Sequence, residues 1–365
     1  MNKKIYKKAD GDLGDIKDKT IAVIGYGNQG RAQALNMRDS GLNVIIGNRK
    51  DEFVKRAEED NFSIYDISKA VEKAQIIFIL IPDEIMGAVY AEEIEPNLKK
   101  NDVIVFASGY NVAFNFIQPA DGLDVVLLAP RMIGVGVREN YLTGEGFYCF
   151  LAVYQDESGN AEDIVLALCN AIGGLEKGSI GISFKQEAVL DLFNEQAFGP
   201  IFGQVLLTSI KTLIDAGYPP AAVLIEMFMS GEMSYTYEKM AEVGMVKQTD
   251  FHSQTSQYGS MSRGIKYRKI SRKIGEIQEE ILKDIESGDF AEEWNKKWAK
   301  IKFKIIKFFA TKIKFARIEK EVRKKLGLTE VDIYKDLELP DEQKIEAQKE
   351  LKEELEKFKD FYRDY

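Results

Sequence analysis

The sequence of 365 residues contains very little cysteine and histidine, with two of the first and one of the second. Cys149 and Cys169 lie in apolar segments and form no CxxC pair, which argues against a disulfide framework and against a zinc site. No apolar signal core follows the basic first residues, and no apolar run approaches the roughly 20 residues of a membrane span. We therefore expect a cytoplasmic protein that binds no membrane.

Acidic residues are in excess and give the chain a net charge of -9, which argues against general nucleic-acid binding. The charge is uneven, because residues 329–365 carry 13 Asp and Glu against 7 Lys and Arg, whereas 296–325 carry 13 Lys and Arg. A basic amphipathic segment of this kind can bind membranes or acidic partners. We favour the simpler interpretation of a domain helix whose lysines face water and which the acidic tail covers.

The most informative motif is a glycine-rich turn that follows the apolar run 21–24 and precedes an alanine-rich helical pattern. In a dinucleotide-binding unit, the first glycine permits a tight turn, the second lets the backbone approach a pyrophosphate, and the third lets the helix pack on the strand. Exposed amides at the helix start then favour phosphate. The predicted cofactor contacts here are Gly25, Tyr26, Gly27, Asn28, Gln29 and Gly30.

Periodicity predicts an α/β fold followed by a helical one. Short β-branched runs alternate with helical segments over 1–183, which predicts a Rossmann domain with a doubly wound parallel sheet. Residues 184–328 predict an all-helical domain, and 329–365 a charged helical tail with a loose apolar stripe. The predicted strands are 21–24, 43–46, 76–80, 103–106, 125–129 and 148–153, and the predicted helices of the first domain are 29–38, 52–59, 67–73, 86–94 and 161–172.

Three loops follow predicted strands at the edge where a Rossmann sheet places its chemistry. They contain Pro82 and Asp83, Ser108 to Asn111, and Pro130-Arg131. With the glycine-rich loop, these segments resemble the ketol-acid reductoisomerases over about residues 13–327, which leaves the tail outside. The resemblance is also carried by 34–41, 93–98, 155–161, 191–196, Glu226, Tyr258-Gly259 and 287–294.

The resemblance implies a nicotinamide cofactor, two magnesium ions, a homodimer and a knotted helical domain. It also implies alkyl migration within a 2-hydroxy-2-methyl-3-keto acid, followed by hydride reduction of the migrated product. Asp191 and Glu195, at i and i+4, share one helical face and offer the hard oxygen ligands that magnesium prefers, although a solvated face is the alternative. A pair of ions would polarise the oxygens of such a substrate for migration.

The sequence departs from the family at the residues that carry the chemistry. The family has a histidine at Ser108 and a lysine at Arg131, and Met132-Ile-Gly-Val-Gly replaces a glycine-proline-glycine loop. The second acidic pair is broken, because Glu226 is followed by Ser230, and Glu232 at i+6 does not share its helix face. His252 lies beside Ser253, in a loop that resembles the one carrying the family's serine for the substrate carboxylate. A site residue and an exposed loop histidine are equally good interpretations of His252.

We therefore expect a diverged NAD(P)H-dependent reductase that acts on the C=O or C=N of a small 2-keto or imino acid and has lost alkyl migration. The predicted catalytic residues are Ser108, Arg131, Asp191, Glu195 and Ser253. At most one Mg²⁺ is expected, with Asp191, Glu195 and Glu226 as ligands. Two alternatives stay open, a functional reductoisomerase with an altered site and a non-catalytic cofactor-binding scaffold whose tail recruits a partner.

The loop after the second predicted strand bears on cofactor choice, because dehydrogenases read the adenosine ribose there. Asp51 and Glu52 would repel a 2′-phosphate and accept hydrogen bonds from a 2′-hydroxyl, whereas Arg49 and Lys50 favour the phosphate. We predict a preference for NADH over NADPH, with Arg49, Asp51, Pro82 and Asp83 among the cofactor contacts.

Overall fold

The computed structural model describes residues 5–310 and 312–328. The chain forms two compact units, Met1–Asp191 and Leu192–Tyr365. Their boundary falls inside the continuous helix Phe184–Asp215, whereas the boundary expected from the sequence, 183/184, lies at its start. The expected tail, 329–365, lies outside the described residues.

The first unit is built on a nine-stranded sheet with the strand order β1-β9-β8-β7-β6-β5-β2-β3-β4. The strands are β1 (Ile5–Tyr6), β2 (Thr20–Ile24), β3 (Asn43–Gly47), β4 (Ser63–Tyr65), β5 (Ile76–Ile79), β6 (Val103–Phe106), β7 (Asp124–Pro130), β8 (Cys149–Gln155) and β9 (Ser179–Gly181). All six predicted strands are present. The three that the sequence analysis missed, β1, β4 and β9, have two or three residues each and are too short to show a period.

Strands β4, β3, β2, β5, β6 and β7 pair in parallel, and the strand order reverses between β2 and β5. In doubly wound sheets the ligand crevice opens at such a reversal, beyond the carboxyl ends of the strands. Ile21 and Val23 of β2 pack into one core, while Ala22 and Ile24 pack into the other. Because both faces are buried, β2 is a continuous apolar run.

The sheet is mixed rather than wholly parallel, so that part of the prediction is wrong. β8 runs antiparallel to β7, and β1 antiparallel to β9. The helix between β7 and β8, Gly134–Thr143, packs against the helix Asn28–Asp39. The chain consequently re-enters the sheet next to β7 without a crossover connection, and the direction of β8 is reversed.

Helices cover both faces of the sheet, as the doubly wound prediction requires, and the five predicted helices are all present. The helices of this unit are α1 (Asn28–Asp39), α2 (Glu52–Glu59), α3 (Ile67–Lys73), α4 (Asp83–Val89), α5 (Tyr110–Ala113), α6 (Gly134–Thr143) and α7 (Ala161–Ile172). The structure divides the predicted helix 86–94 into α4 and the π-turn Tyr90–Ile94, and it adds α5 and α6. Short 3-10 turns occupy Lys8–Asp10, Leu13–Asp15 and Glu95–Asn97.

The described residues of the second unit form helices and no strand, which confirms the all-helical prediction. The helix that starts with α8 (Phe184–Phe193) continues through the π-turn Asn194–Phe198 into α9 (Gly199–Asp215). A second π-turn, Ile225–Met229, follows α10, and a 3-10 turn occupies Lys247–Phe251. The remaining helices are α10 (Pro220–Leu224), α11 (Glu232–Val243), α12 (Gln254–Lys266), α13 (Ile270–Ser287), α14 (Asp289–Asn295), α15 (Lys297–Ala310) and α16 (Lys314–Lys325).

The helical unit buries much less apolar surface than the sheet unit. A small core joins Ile210 of α9, Val223 and Leu224 of α10, and Val322 of α16. By length and composition, Phe184–Asp215 is apolar enough to cross a membrane, and 11% of its apolar window is buried. The expectation that no apolar stretch approaches such a length is therefore wrong for this helix, although a lone apolar helix is weak evidence for a membrane span.

Candidate active site

The glycine-rich loop joins β2 to α1 with the geometry that dinucleotide binding requires. Gly25 has φ +94°, and a side-chain carbon there would lie 2.6 Å from the Leu80 carbonyl oxygen. A side-chain carbon at Gly30 would lie 2.0 Å from the Gly25 carbonyl oxygen, so α1 packs against the turn itself. At Gly27, by contrast, no atom lies within 4 Å of where a side-chain carbon would be. This open space at a helix N-terminus fits the pyrophosphate of a dinucleotide.

Tyr26 points away from that space. Its ring is buried against Phe62, and its hydroxyl donates a 2.8 Å hydrogen bond to Asp60. Arg31 of α1 holds the same carboxylate through two bonds of 2.7 and 3.0 Å, and these bonds lower the pKa of Asp60. The Tyr26 side chain thus anchors the loop to the end of α2, which leaves its backbone for the predicted cofactor contact.

Asp51 has a structural task besides its predicted contact with the cofactor. It is the N-cap of α2, because one carboxylate oxygen accepts hydrogen bonds from the Phe53 N–H and from Asn48 Nδ2. The other oxygen accepts a 3.3 Å bond from Arg49 Nε, and the Arg49 side chain is 73% exposed. A negative charge is therefore held in place where the adenosine ribose is expected.

The loops after β5 and β7 close around the glycine-rich loop. Pro82 is the N-cap of α4, and Asp83 in its first turn accepts a 2.7 Å bond from Asn111 Nδ2. Gln29 donates a 2.8 Å bond to the Met132 carbonyl oxygen. A side-chain carbon at Gly134 would lie 2.3 Å from the Asn28 carbonyl oxygen. Glycine at 134 therefore permits the close approach of α6 to the start of α1.

Arg131 follows the carboxyl end of β7 and is the centre of a charged cluster at this edge. Its Nη1 donates a 3.0 Å bond to Glu187, and its Nη2 donates to the Asp191 carboxylate. The guanidinium lies 5.0 Å from the centre of the Phe150 ring, and the backbone N–H donates to the Tyr148 carbonyl oxygen at 2.8 Å. Because both acids lie one turn apart on α8, the guanidinium spans their two carboxylates. We call Arg131, Glu187 and Asp191 the arginine cluster.

Glu187 belongs to this cluster, and the sequence analysis does not predict it. It is 1% exposed, and it accepts a 2.6 Å hydrogen bond from the Gly109 N–H. Burial raises the pKa of the Glu187 carboxyl from 4.5 to about 7, although Gly109 and Arg131 act in the opposite direction. The sequence does contain a signal for Glu187, because the acids at 187, 191 and 195 are four residues apart and therefore share one side of a helix.

Ser108 lies at the end of β6, in the same region of the sheet edge. Its hydroxyl oxygen accepts a 3.2 Å bond from the Tyr110 N–H, which starts α5. The adjacent Gly109 binds Glu187, so the loop that contains Ser108 is tied to the arginine cluster. The structure thus brings together the loop of Ser108, Arg131 and Asp191, three of the five predicted catalytic positions.

The remaining predicted site residues belong to the helical unit. Glu195 and Glu226 are exposed and lie in the two π-turns of that unit. Such turns are rare and often mark functional sites. Gly231, with φ +82°, ends the helical stretch of Glu226 before Glu232 begins α11. Ser253 is the N-cap of α12, where its Oγ accepts a 3.3 Å bond from the Ser256 N–H.

The two-magnesium centre implied by the resemblance does not fit the described residues. Asp191 is already bonded to the guanidinium of Arg131, which is itself a cation. No group of three His, Cys, Asp or Glu side chains comes together within the residues that the structure describes. Ser230 offers a hydroxyl, which accepts from the Glu232 N–H at 3.3 Å, where a second carboxylate is expected.

Comparison with known proteins decides the family. The model of the acetohydroxy acid isomeroreductase NADPH-binding domain matches residues 15–178, and that of the ketol-acid reductoisomerase C-terminal domain matches 184–327. The chain belongs to the ketol-acid reductoisomerase family. Its fold and family make it an NAD(P)-dependent oxidoreductase.

Curated relatives and a solved structure agree with this assignment. The chain is 45% identical to "Putative ketol-acid reductoisomerase 3" of Saccharolobus solfataricus over 78% of its length and 86% of that protein's. It is 41% identical to "Ketol-acid reductoisomerase (NADP(+))" of Petrotoga mobilis, over 80% and 88% respectively. The structure of an NADH-preferring ketol-acid reductoisomerase from an uncultured archean superposes with a TM-score of 0.82 and 33% identity, covering 88% of this chain and 99% of that one.

Proposed function

We propose that this member of the family reduces the C=O or C=N of a small 2-keto or imino acid with NAD(P)H and has lost the alkyl-migration step. The observation that carries the proposal is the bond between Arg131 and Asp191. A carboxylate that the family uses for a metal ion is here neutralised by a guanidinium from the neighbouring loop. Migration would need two ions on the substrate oxygens, whereas reduction needs one polarised C=O or C=N.

The arginine cluster supplies suitable groups for reduction. A guanidinium has five N–H donors, and two of them are used in the bonds to Glu187 and Asp191. The remaining donors are suited to the carboxylate of a 2-keto acid or to the oxygen on which negative charge develops. The bound nicotinamide supplies the hydride. Glu187, with a pKa of about 7, is able to hold or release a proton near neutral pH.

A pair of isomeric substrates tests the proposal. Migration converts a 2-hydroxy-2-methyl-3-keto acid into a 3-hydroxy-3-methyl-2-keto acid, and only the second offers a 2-keto group to reduce. Oxidation of NADH should occur with the migrated isomer and be absent, or at least 100-fold slower, with the parent. Comparable rates with the two isomers would instead support the second candidate.

The second candidate is a complete ketol-acid reductoisomerase of branched-chain amino-acid biosynthesis with an altered site. It is favoured by the match of both family domains and by the names of the relatives. A third candidate is a cofactor-binding scaffold without activity. It would bind NADH tightly yet oxidise none with either isomer or with simple 2-keto acids and cyclic imines.

We infer a preference for NADH from the loop after β3. The carboxylate of Asp51 is fixed by Asn48 and by the start of α2, so a 2′-phosphate placed beside it would meet a negative charge that cannot swing away. The solved neighbour is NADH-preferring, whereas the Petrotoga relative is named for NADP(+). Titration with both reduced cofactors decides the matter, and tenfold tighter binding of NADPH would contradict the inference.

We also propose that the protein binds one Mg²⁺ or none. Asp191, Glu195 and Glu226 are the predicted ligands, and the absence of an acid at 230 lowers the ligand charge on which affinity for a hard cation depends. Elemental analysis after dialysis against Mg²⁺ should give no more than one ion per chain. Two ions per chain would refute this stoichiometry and support the reductoisomerase candidate.

A homodimer is proposed for the assembled protein. Large apolar side chains of the helical unit are left on its surface, among them Val205 (53% exposed) and Ile265 (71%). Exposed apolar surface on this scale is typical of an interface. Light scattering during gel filtration should give twice the chain mass, whereas a monomer at micromolar concentration would contradict the dimer. The knot, the cytoplasmic location and the absence of membrane and nucleic-acid partners stay predictions.

A further inference from the structure

Helix α15 carries exposed apolar side chains in the most basic segment of the chain. Residues 296–325 contain thirteen Lys and Arg and two Glu. Phe303 and Ile306 lie three residues apart on α15, which places them on neighbouring positions of one helix side, and they are 48% and 41% exposed. We call Phe303, Ile306 and the surrounding lysines of α15 the basic face.

The basic face is not the side by which these helices join the core. Helix α16 contributes Val322 to the small core that contains Ile210, and Phe315 and Ile318 pack against that core. Helix α15 buries Ile305 to 5% exposure. Phe303 meets the Trp294 ring edge-on at 6.0 Å, yet it and Ile306 keep almost half of their surface exposed on a second side of α15.

We propose that the C-terminal tail of the same chain covers the basic face, with residues 341–361 docked as a helix. The segment 329–365 has a net charge of -6, against +11 for 296–325. Its apolar residues Leu351, Leu355 and Phe358 recur at spacings of four and three, which predicts one apolar side with acids around it. Opposite charge draws the segments together, and apolar burial holds them. This contact is independent of the proposed reaction.

The chain length permits this contact. The tail follows Leu328 directly, three residues after the end of α16. The twelve residues 329–340 span at most about 40 Å when extended, whereas α16 is about 18 Å long. The tail can thus return along α16 to α15 of its own chain. An anionic lipid surface would suit the basic face chemically, but it would have to compete with a tethered segment at an effective concentration on the order of millimolar.

Cysteine cross-linking in the full-length chain tests the contact. The chain's own cysteines, Cys149 and Cys169, are buried. Ile306→Cys combined with Leu355→Cys should form an intramolecular disulfide under mild oxidation. The matched control combines Ile306→Cys with Glu353→Cys, which lies about 200° away around the helix. The first pair should react at least tenfold faster, and its advantage should shrink in 1 M salt, where charges are screened beyond about 3 Å.

Equal rates for the two pairs would overturn the proposal, and cross-linked dimers would assign the face to the tail of a second copy. Hydrogen exchange gives a measurement without substitutions in the face. Deleting residues 331–365 should increase amide exchange in α15 and leave α13 unchanged, whereas unchanged exchange in α15 would contradict the contact. Co-sedimentation of the full-length protein with phosphatidylserine vesicles would show that the face is open to lipid and would likewise overturn it.

Discussion

The glycine-rich loop and the arginine cluster lie at the same edge of one sheet, yet they are built from different kinds of groups. In the loop, Gly25 and Gly30 are too crowded for a side chain, and Gly27 borders open space, as dinucleotide binding requires. In the cluster, Arg131 is bonded to Asp191, the carboxylate on which a metal ion is expected. A cofactor site built from backbone tolerates little change, whereas a site built from side-chain charges can be rewired by one substitution.

The largest expected effects separate two glycines of the loop. Gly30→Ala places a carbon about 2.0 Å from the Gly25 carbonyl oxygen, so α1 must move, and we expect a loss of about 3 kcal/mol or more in unfolding free energy. Gly27→Ala is the matched control, because nothing lies within 4 Å of its new carbon. It should melt within about 2 °C of the parent and yet bind NADH at least about tenfold more weakly. Normal cofactor affinity in Gly27→Ala would contradict the assignment of this space to the pyrophosphate.

Removal of the central cation should have the next largest effect. Arg131→Ala deprives a developing negative charge of its donor, and we expect kcat to fall by about 10² to 10³. NADH affinity should stay within a factor of about two, because Arg131 contacts no atom of the glycine-rich loop in the hydrogen bonds described. Steady-state kinetics and cofactor titration on the same preparation check both values. An unchanged kcat with a raised KM would make Arg131 a binding residue only.

The pH dependence of stability should identify Glu187. Its pKa is raised from 4.5 to about 7 in the folded chain, so the folded state retains the proton that the unfolded state releases. Its contribution to stability is therefore full below about pH 4.5 and is lost as the pH rises through 7, by on the order of 3 kcal/mol. Urea unfolding at pH 5 and pH 8 should show this difference in the parent and a smaller one in Glu187→Gln, which keeps an acceptor for Gly109. Equal pH differences in both proteins would contradict the raised pKa.

The smallest expected effect lies in the helical unit. Ser253→Ala removes the N-cap of α12 and should cost about 1 kcal/mol of unfolding free energy. If Ser253 also binds the substrate carboxylate, as the resemblance implies, KM should rise at least about tenfold. Ser253→Thr keeps the hydroxyl and serves as the control. A loss of stability in the alanine variant with an unchanged KM would leave Ser253 as a helix cap alone.

Much of the first unit follows from local rules that the sequence displays. The buried strands are continuous β-branched runs, and the glycine spacing fixes the turn between β2 and α1, so both are predictable. The antiparallel direction of β8 is not, because it depends on where α6 packs. The charge of Asp51 predicts a cofactor contact, and the preference for Asp at helix starts also predicts its role as the N-cap of α2.

The arginine cluster shows where sequence reasoning ends. Arg131 and Asp191 were both selected as site residues, but 60 positions separate them in the chain. Their bond forms because the carboxyl end of β7 lies beside α8, which comes after β8 and β9 in the chain. Glu187 is not predicted because an acid in a helical pattern usually faces water, and only the fold shows that it is buried.

The central claim is that the charge arrangement around Asp191 has removed migration and kept reduction. The most direct measurement is the ratio of NADH oxidation rates with the parent 2-hydroxy-2-methyl-3-keto acid and with its migrated 3-hydroxy-3-methyl-2-keto isomer, in saturating Mg²⁺. It should be taken for the natural chain and for the double variant Arg131→Lys with Ser230→Glu, which introduces the residues that the resemblance implies at these positions. The account predicts a ratio below about 0.01 for the natural chain and a clear rise in the variant. A ratio near one in the natural chain would contradict it.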